Sequence, residues 1–370
     1  MSGLRFVVTG GGTGGHIYPA LAIAGGLART AEAEILYMGG KDSTEERLAA
    51  KAGFDFIGVE TCPLHRKSLA IFKDLAANRR GSKEAAEILR RFAPQVVIGT
   101  GGYASWPVMK AAVKLGIHTM IHEQNAAPGL SNRNLAKNAD KICLTFAAAG
   151  ELFAARHRHK IEITGLPVRP SIIEAQRDQA RECWQIGPSE PVLVVTGGSQ
   201  GAASINTAMS GAWKPLLADG LFIIHITGEK KYEAMKAAAK DQGLAQEPRL
   251  HLMPYLHEME KGLAAADLVV GRSGASFLAE ILCRGLPSIL VPYPYAAANH
   301  QLLNAEAVEK AGGALLIEDK DLSAQSLTQA VRNLFTDREK MLKMSAAASG
   351  LGKPQALQHI IDIALRLAKR

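Results

Sequence analysis

Residues 271–304 read GRSGASFLAEILCRGLPSILVPYPYAAANHQLLN, a phosphate-sized turn, a helix with one carboxylate and a polar loop within a single strand–helix–strand unit. Leu268 to Gly271 ends an apolar strand, and Ser273, Gly274 and Ala275 are small enough for backbone N–H groups to approach an anion as the next helix opens. Glu280 falls within the apolar helix FLAEIL, where a carboxylate is suited to accept both hydroxyls of a ribose. A second apolar strand, Pro287 to Val291, turns through Pro292, Tyr293, Pro294 and Tyr295. It delivers Asn299, His300, Gln301 and Asn304, donors and acceptors suited to sugar hydroxyls.

Three further glycine turns follow apolar strands. Gly10 to Gly15, GGGTGG, follows Leu4 to Thr9 and opens helix-compatible spacing from His16 to Leu27. It satisfies GxGxxG formally, but a dinucleotide site also wants an acidic residue ending the second strand. Here the strand Ala33 to Met38 ends in Gly39-Gly40 and Glu34 lies near its start, which disfavours NAD and an oxidoreductase. Gly99 to Ser105 follows the strand Gln95 to Ile98, and Gly197 to Ala202 follows Val192 to Val195.

Strands alternating with helices predict parallel sheets covered on both faces. The alternation restarts after Gly165-Leu166-Pro167-Val168-Arg169-Pro170, which predicts an α/β protein of two doubly wound domains. They are residues 1–167, with a C-terminal helix within 352–370 packing back on them, and residues 168–351, with ligand crevices at strand carboxyl ends facing one another. In that tail Leu357, Ile360, Ile361, Ala364, Leu365 and Ala368 form one apolar stripe, and Arg366, Lys369 and Arg370 suit a helix C-terminus.

At 370 residues and 47% apolar content the chain has material for two cores. Cys62, Cys143, Cys183 and Cys283 are scattered without a CxxC pair, so neither a zinc knuckle nor a disulfide framework is expected, and a reduced interior fits. The start runs at once into LRFVVTG, so no signal peptide is expected, and no apolar run reaches bilayer-spanning length. The +8 charge is unevenly placed: residues 1–167 hold 21 Lys and Arg against 14 Asp and Glu, a net of +7, and residues 168–370 hold 22 against 21. With 5% aromatic residues and no nucleic-acid module, an anionic membrane surface or lipid phosphate is the expected partner, not nucleic acid.

Between His65 and Arg91 lie Arg66, Lys67, Lys73, Arg79, Arg80, Lys83, Arg90 and Arg91 against Asp74, Glu84 and Glu87, interleaved with Leu69, Ile71, Phe72 and Leu75. Two readings fit, an interfacial patch or a solvated helix face whose apolar side joins the core. Asp319-Lys320-Asp321 matches a DxD metal motif formally but reads as solvated surface, as does His157-Arg158-His159, so no metal site is expected.

Seven motifs, GGGTGGH, GGYAS, HEQN, GLPVR, GGSQGA, RSGAS with its downstream Glu, and HQxxNA, occur in order from residue 10 to residue 305. In these the chain resembles the MurG family of peptidoglycan N-acetylglucosaminyltransferases. The resemblance implies the GT-B architecture of two facing Rossmann-like domains. It also implies inverting transfer of GlcNAc from UDP-GlcNAc to the 4-hydroxyl of MurNAc in undecaprenyl-diphospho-MurNAc-pentapeptide. The setting it implies is peripheral, at the cytoplasmic face of the bacterial inner membrane among wall-synthesis and division proteins, with no cofactor required. A related GT-B transferase with a different lipid or aglycone acceptor is the nearest alternative, and a non-catalytic nucleotide-sugar binder a further one.

Carried onto this sequence, the resemblance gives Glu280 the ribose hydroxyls. Arg272 and the loop Ser273 to Ala275 would border nucleotide and diphosphate, and backbone near Leu256 would meet the uracil. Ser199 and Gln200 would contact phosphate with Arg169 nearby. Gln301, Asn304 and Asn125 would border the sugar. Thr13, Gly14 and Gly15 would line the donor side of the first turn, and Thr13, Gly14, His16, Gly102 and Tyr103 would meet the acceptor. A sugar hydroxyl needs one positioned base as the bond forms, and His16 and Glu123 are the two candidates. Trp106 and Phe277 depart from the family pattern; neither is expected to touch the chemistry, although Trp106 would alter the acceptor cleft.

Overall fold

The computed structural model describes residues 3–31, 33–63, 70–198 and 200–370. The chain divides into two compact units, Met1–Pro167 with Gln355–Arg370, and Val168–Pro354. The first unit contains strands β1 (Arg5–Thr9), β2 (Glu34–Gly40), β3 (Asp55–Val59), β4 (Val96–Gly99), β5 (His118–Glu123), β6 (Lys141–Leu144) and β7 (Ile161–Ile163). The second contains β8 (Val192–Thr196), β9 (Phe222–Ile226), β10 (Leu250–Met253), β11 (Leu268–Gly271), β12 (Ser288–Leu290) and β13 (Ala314–Leu316).

Every pairing is parallel, in the orders β3-β2-β1-β4-β5-β6-β7 and β10-β9-β8-β11-β12-β13. Parallel strands are covered by crossover helices on both faces, which is why FVV of β1 and VLVV of β8 are apolar runs, not alternating ones. Val7 stands opposite Leu36 on one side and Val97 on the other, all buried. In both units the strand order reverses once, between β1 and β4 and between β8 and β11. Ligands of open α/β sheets bind at the carboxyl ends of the strands beside such a reversal, and the four glycine-rich turns leave those four strands.

The tail forms the helix Ala356–Ala368, which belongs to the first unit and packs on the helix Gly14–Ala31. Ile360, Ile361, Ile363, Ala364 and Leu367 are buried there with Ile23 and Leu27. Gly26 permits the approach, since a Cβ on it would lie 2.5 Å from Ile361 Cδ1. On the other side Glu162 accepts from Lys141 at 2.5 Å and stands 3.4 Å from His359 and 3.5 Å from Arg366, tying the helix to β6 and β7.

One surface expectation is corrected: His157 is buried, beside Arg156. Trp106 packs half-buried against the core of the first unit.

Candidate active site

In the second unit, the turns after β8 and β11 lead into the helices Ala203–Ala218 and Ala275–Cys283. The residues before these helices are Ala202 and Gly274, and neither gives a side-chain cap. Helix N-caps are usually Ser, Thr, Asp or Asn. Here the first-turn amides are left without that partner, on the wall of a cleft of about 1070 Å³ that both turns line. Two helix starts with open amides make an anion seat. Gly201 has φ 64°, and a Cβ there would meet the Thr227 carbonyl oxygen at 2.0 Å, so only glycine lets this loop sit down on β9.

Arg272, Gly274, Gln200, Leu256, Arg169, Glu280 and Gln301 line the cleft. Leu256 is half-buried, and among the described residues its peptide N–H and C=O take no backbone partner. Glu280 meets Arg169 at 3.4 Å. Burial lifts its carboxyl above the ordinary range, and Arg169 offsets part of that rise. Ser199 lies outside the described residues. Lys231, which sequence reasoning missed, also lines the cleft, donates to the Gln200 carbonyl at 3.0 Å and has no acidic partner among the described residues. Nothing in the charged run GEKK marks it out from its neighbours.

Several expectations are overturned by burial and pairing. Asp319 is not solvated surface. Its Oδ1 accepts from Arg272 at 2.5 Å and from the Ser204 hydroxyl at 2.7 Å, while Arg272 Nη2 donates to that hydroxyl at 2.9 Å. Arg272 Nη1 also donates to the carbonyls of Val291 and Pro292. Its guanidinium is therefore committed to joining the two helix starts. Asp321 is exposed, and no cluster able to hold a metal occurs among the described residues.

Ser273 is buried, its hydroxyl donating to the Gln301 carbonyl at 2.7 Å. Asn304 is also fully buried and donates to the Ser273 carbonyl at 3.1 Å. These two, together with Ala275, do not line the cleft; Ser273 and Asn304 shape the turn that does. Phe277, expected away from the chemistry, lines the cleft and covers Gly271.

In the first unit the turns after β1 and β4 touch. A Cβ on Gly102, at φ 80°, would lie 2.0 Å from the Gly11 carbonyl oxygen. The imidazole of His16, in the first turn of the helix Gly14–Ala31, lies against Gly101 and Gly102. Its Nδ1 is 3.0 Å from the Thr100 carbonyl oxygen. Thr13 and Gly15 are exposed beside it, Gly14 is half-buried, and the exposed Tyr103 covers Gly12.

Glu45 was not foreseen: it is buried, and its carboxylate accepts from Gly12 N–H at 3.3 Å and Gly40 N–H at 3.2 Å, bracing the turn from behind. Glu123, the rival base, is buried with both oxygens occupied. They accept from the amides of Asn125 and Gly129 and from Asn132 Nδ2 at 2.9–3.0 Å. Its hydrogen bonds order the loop 124–132. Asn125 sits on that loop in the first unit, whereas the cleft at Glu280 is in the second.

The basic segment forms the helix Ala70–Phe92. Asp74, Asn78, Ala85 and Leu89 are buried along one face, while Phe72 is 71% and Leu75 47% exposed on another, with Lys73 and Arg79 exposed near them. Arg80 is held by Glu60 at 2.5–2.7 Å. His65, Arg66, Lys67 and Leu69 lie outside the described residues. Among the described residues no helix is long and apolar enough to cross a membrane.

Residues 6–144 match the family described as Glycosyltransferase family 28 N-terminal domain, and residues 192–360 the Glycosyltransferase family 28 C-terminal domain. Fold and sites together define a glycosyltransferase of the GT-B class. The UDP-N-acetylglucosamine--N-acetylmuramyl-(pentapeptide) pyrophosphoryl-undecaprenol N-acetylglucosamine transferase of Moorella thermoacetica is 46% identical over 370 residues, 98% of this chain and 99% of that protein. The like-named protein of Desulforamulus reducens is 44% identical over 372 residues, 99% of this chain and 100% of that one. The crystal structure of Acinetobacter baumannii MurG matches with a TM-score of 0.78 at 26% identity, covering 98% of this chain and 99% of that one. This chain belongs to the MurG family of glycosyltransferases.

The placement of Asn304 separates two roles. Asn304→Ala is expected to lower the stability of the ligand-free second unit by about 1–3 kcal/mol, because it strands a buried carbonyl. Gln301→Ala, at a half-exposed position, is expected to leave it within about 0.5 kcal/mol. Urea unfolding of both variants makes the comparison.

Proposed function

We propose that this chain transfers GlcNAc from UDP-GlcNAc to the 4-hydroxyl of MurNAc in undecaprenyl-diphospho-MurNAc-pentapeptide, with inversion at the anomeric carbon. The observation that carries the reading is the cleft of the second unit, where two uncapped helix starts share a wall with the desolvated Glu280. Diphosphate at the helix starts and ribose hydroxyls on the carboxylate are the complement of that pair. Leu256 offers unpaired backbone to a pyrimidine, and Gln301 borders the sugar. Arg169, Gln200 and Lys231 supply polar contacts to phosphate.

In the reaction the acceptor oxygen forms a bond to the anomeric carbon as the bond to the diphosphate oxygen breaks. The electron pair leaves with UDP, and the acceptor proton goes to His16. Charge growing on the leaving diphosphate is met by amide dipoles already in place, together with Lys231. We read the reaction as needing no metal ion, because the Arg272–Asp319 pair closes the one formal DxD motif. In the first unit the amides at Thr13 to Gly15, with Tyr103 and Gly102, are read as the seat of the acceptor diphosphate.

Release of UDP from UDP-GlcNAc is expected only when a polyprenyl-diphospho-MurNAc acceptor is present, and to persist in a chelator. His16→Ala is expected to lower kcat by about 10²–10⁴ while UDP still raises the unfolding temperature. UDP release without acceptor, or full turnover by His16→Ala, would remove the reading.

Glu280 sets a pH dependence. Accepting two hydroxyls needs the carboxylate, and its pKa lies above the ordinary range. UDP affinity is therefore expected to weaken as pH falls towards that raised pKa, before ordinary carboxylates protonate. Glu280→Gln is expected to bind UDP more weakly and to lose this dependence, as read by titration calorimetry across pH.

The enzyme is further read as peripheral on the anionic cytoplasmic face of the bacterial membrane, through the exposed face of the helix Ala70–Phe92. Burying Phe72 and Leu75 is worth about 1.5–3 kcal/mol each and each nearby cation about 1 kcal/mol, enough for reversible docking. The double variant Phe72→Ser with Leu75→Ser is expected to lose most sedimentation with anionic vesicles while keeping its fold by circular dichroism. Undiminished sedimentation would move the docking surface elsewhere.

A further inference from the structure

We propose that Gln124 and His122 are positioning residues that lock His16 in the tautomer whose Nε2 is free to take the acceptor's proton. This rests on the reading of His16 as base. His122 is fully buried, and its Nε2 stands 2.9 Å from the Gly165 carbonyl oxygen. A carbonyl only accepts, so His122 Nε2 carries the hydrogen. Burial pushes this imidazole down to about 4, so it is neutral near pH 7 and has a single N–H. Its Nδ1 is consequently a lone pair.

That lone pair faces Gln124 Nε2 at 3.1 Å, and the same nitrogen is 2.9 Å from the Thr100 carbonyl oxygen and 3.0 Å from the His122 carbonyl oxygen. Three acceptors around one end of a buried amide fix its orientation. Turning Gln124 over would set its oxygen against all three at a position buried from solvent. The amide oxygen must then face the other way, where it lies 3.0 Å from His16 Nδ1. With the Thr100 carbonyl oxygen also 3.0 Å away, His16 Nδ1 has two acceptors and must be the protonated nitrogen. In the neutral ring this leaves Nε2 as the base.

The orienting group is an amide dipole, not a carboxylate. Glu45 and Glu123, the carboxylates built into these turns, spend their oxygens on backbone amides and Asn132. When His16 takes the proton, its Nδ1–H keeps both acceptors. The positive charge meets two oriented dipoles without a fixed anion to hold the proton afterwards.

The test is ¹⁵N NMR of the full chain labelled at histidine, with His16→Ala and His122→Asn assigning the signals, alongside kinetics. The expected spectrum near neutral pH has His16 protonated at Nδ1 and His122 at Nε2; His16 protonated at Nε2 would overturn the proposal whatever the variants do. Gln124→Leu is expected to lower kcat at least about tenfold with the donor KM within about twofold, a share of the ~10²–10⁴ a positioned base supplies. Gln124→Glu keeps an acceptor on His16 but makes it an anion, and is expected to move the acid limb of the kcat profile to higher pH. Full turnover by folded Gln124→Leu, or an unmoved limb in folded Gln124→Glu, counts against the proposal. Loss of turnover in His16→Ala with none in Gln124→Leu removes the positioning role alone, whereas turnover in His16→Ala removes the base itself.

Discussion

Each sheet reverses its strand order once, and a glycine-rich turn leads from each of the two strands at the reversal into the helix that follows it. Four amides at the start of any helix lack an intrahelical partner. Most proteins satisfy them with a capping side chain or water. In the second unit the residues at the two cap positions are Ala202 and Gly274, and the amides open onto a cleft instead. The remaining features of the site, the close-packed glycine turns, the buried braces behind them and the carboxylate opposite, depend on keeping those helix starts open and fixed.

The two units brace their turns with opposite electrostatics. Behind the first turn of the N-terminal unit stands Glu45, a buried carboxylate occupied with the amides of Gly12 and Gly40. It takes the Gly12 amide out of the free donors of the turn. In the C-terminal unit the brace is the Arg272–Asp319 pair with Ser204, in which a cation and an anion neutralise one another. The pair fixes geometry, and the helix starts and Lys231 remain on the cleft wall. Buried pairs are weak contributors to net stability but costly to break singly, which suits a joint whose task is to hold two loops in register.

The seven motifs, the two-unit division of the sheets and the covered C-terminal helix follow from features local to the chain. Apolar runs mark strands β1 and β8 because parallel strands lie between two helical layers, and the stripe from Leu357 to Ala368 cannot remain in water. Glu280 was legible for a related reason, as an acid among apolar neighbours. Its raised pKa reflects that same desolvation.

What sequence could not convey is which polar groups face a ligand and which face each other. Asn304 and Ser273 are suited to sugar by residue type, yet they hydrogen-bond within the turn and are wholly buried. Asp319 looks solvated in a charged loop and instead joins Arg272 from 47 residues away. Glu123 is acidic and well placed in a motif, but three backbone and side-chain donors from residues 125–132 have taken its oxygens. The sequence by itself determined the periodicity, the glycine turns and hence the sheets, because those are set by neighbours along the chain. Only the tertiary structure decided the partners of each buried donor and acceptor, because a polar group removed from water must be satisfied by whatever the fold brings beside it, at any distance in sequence.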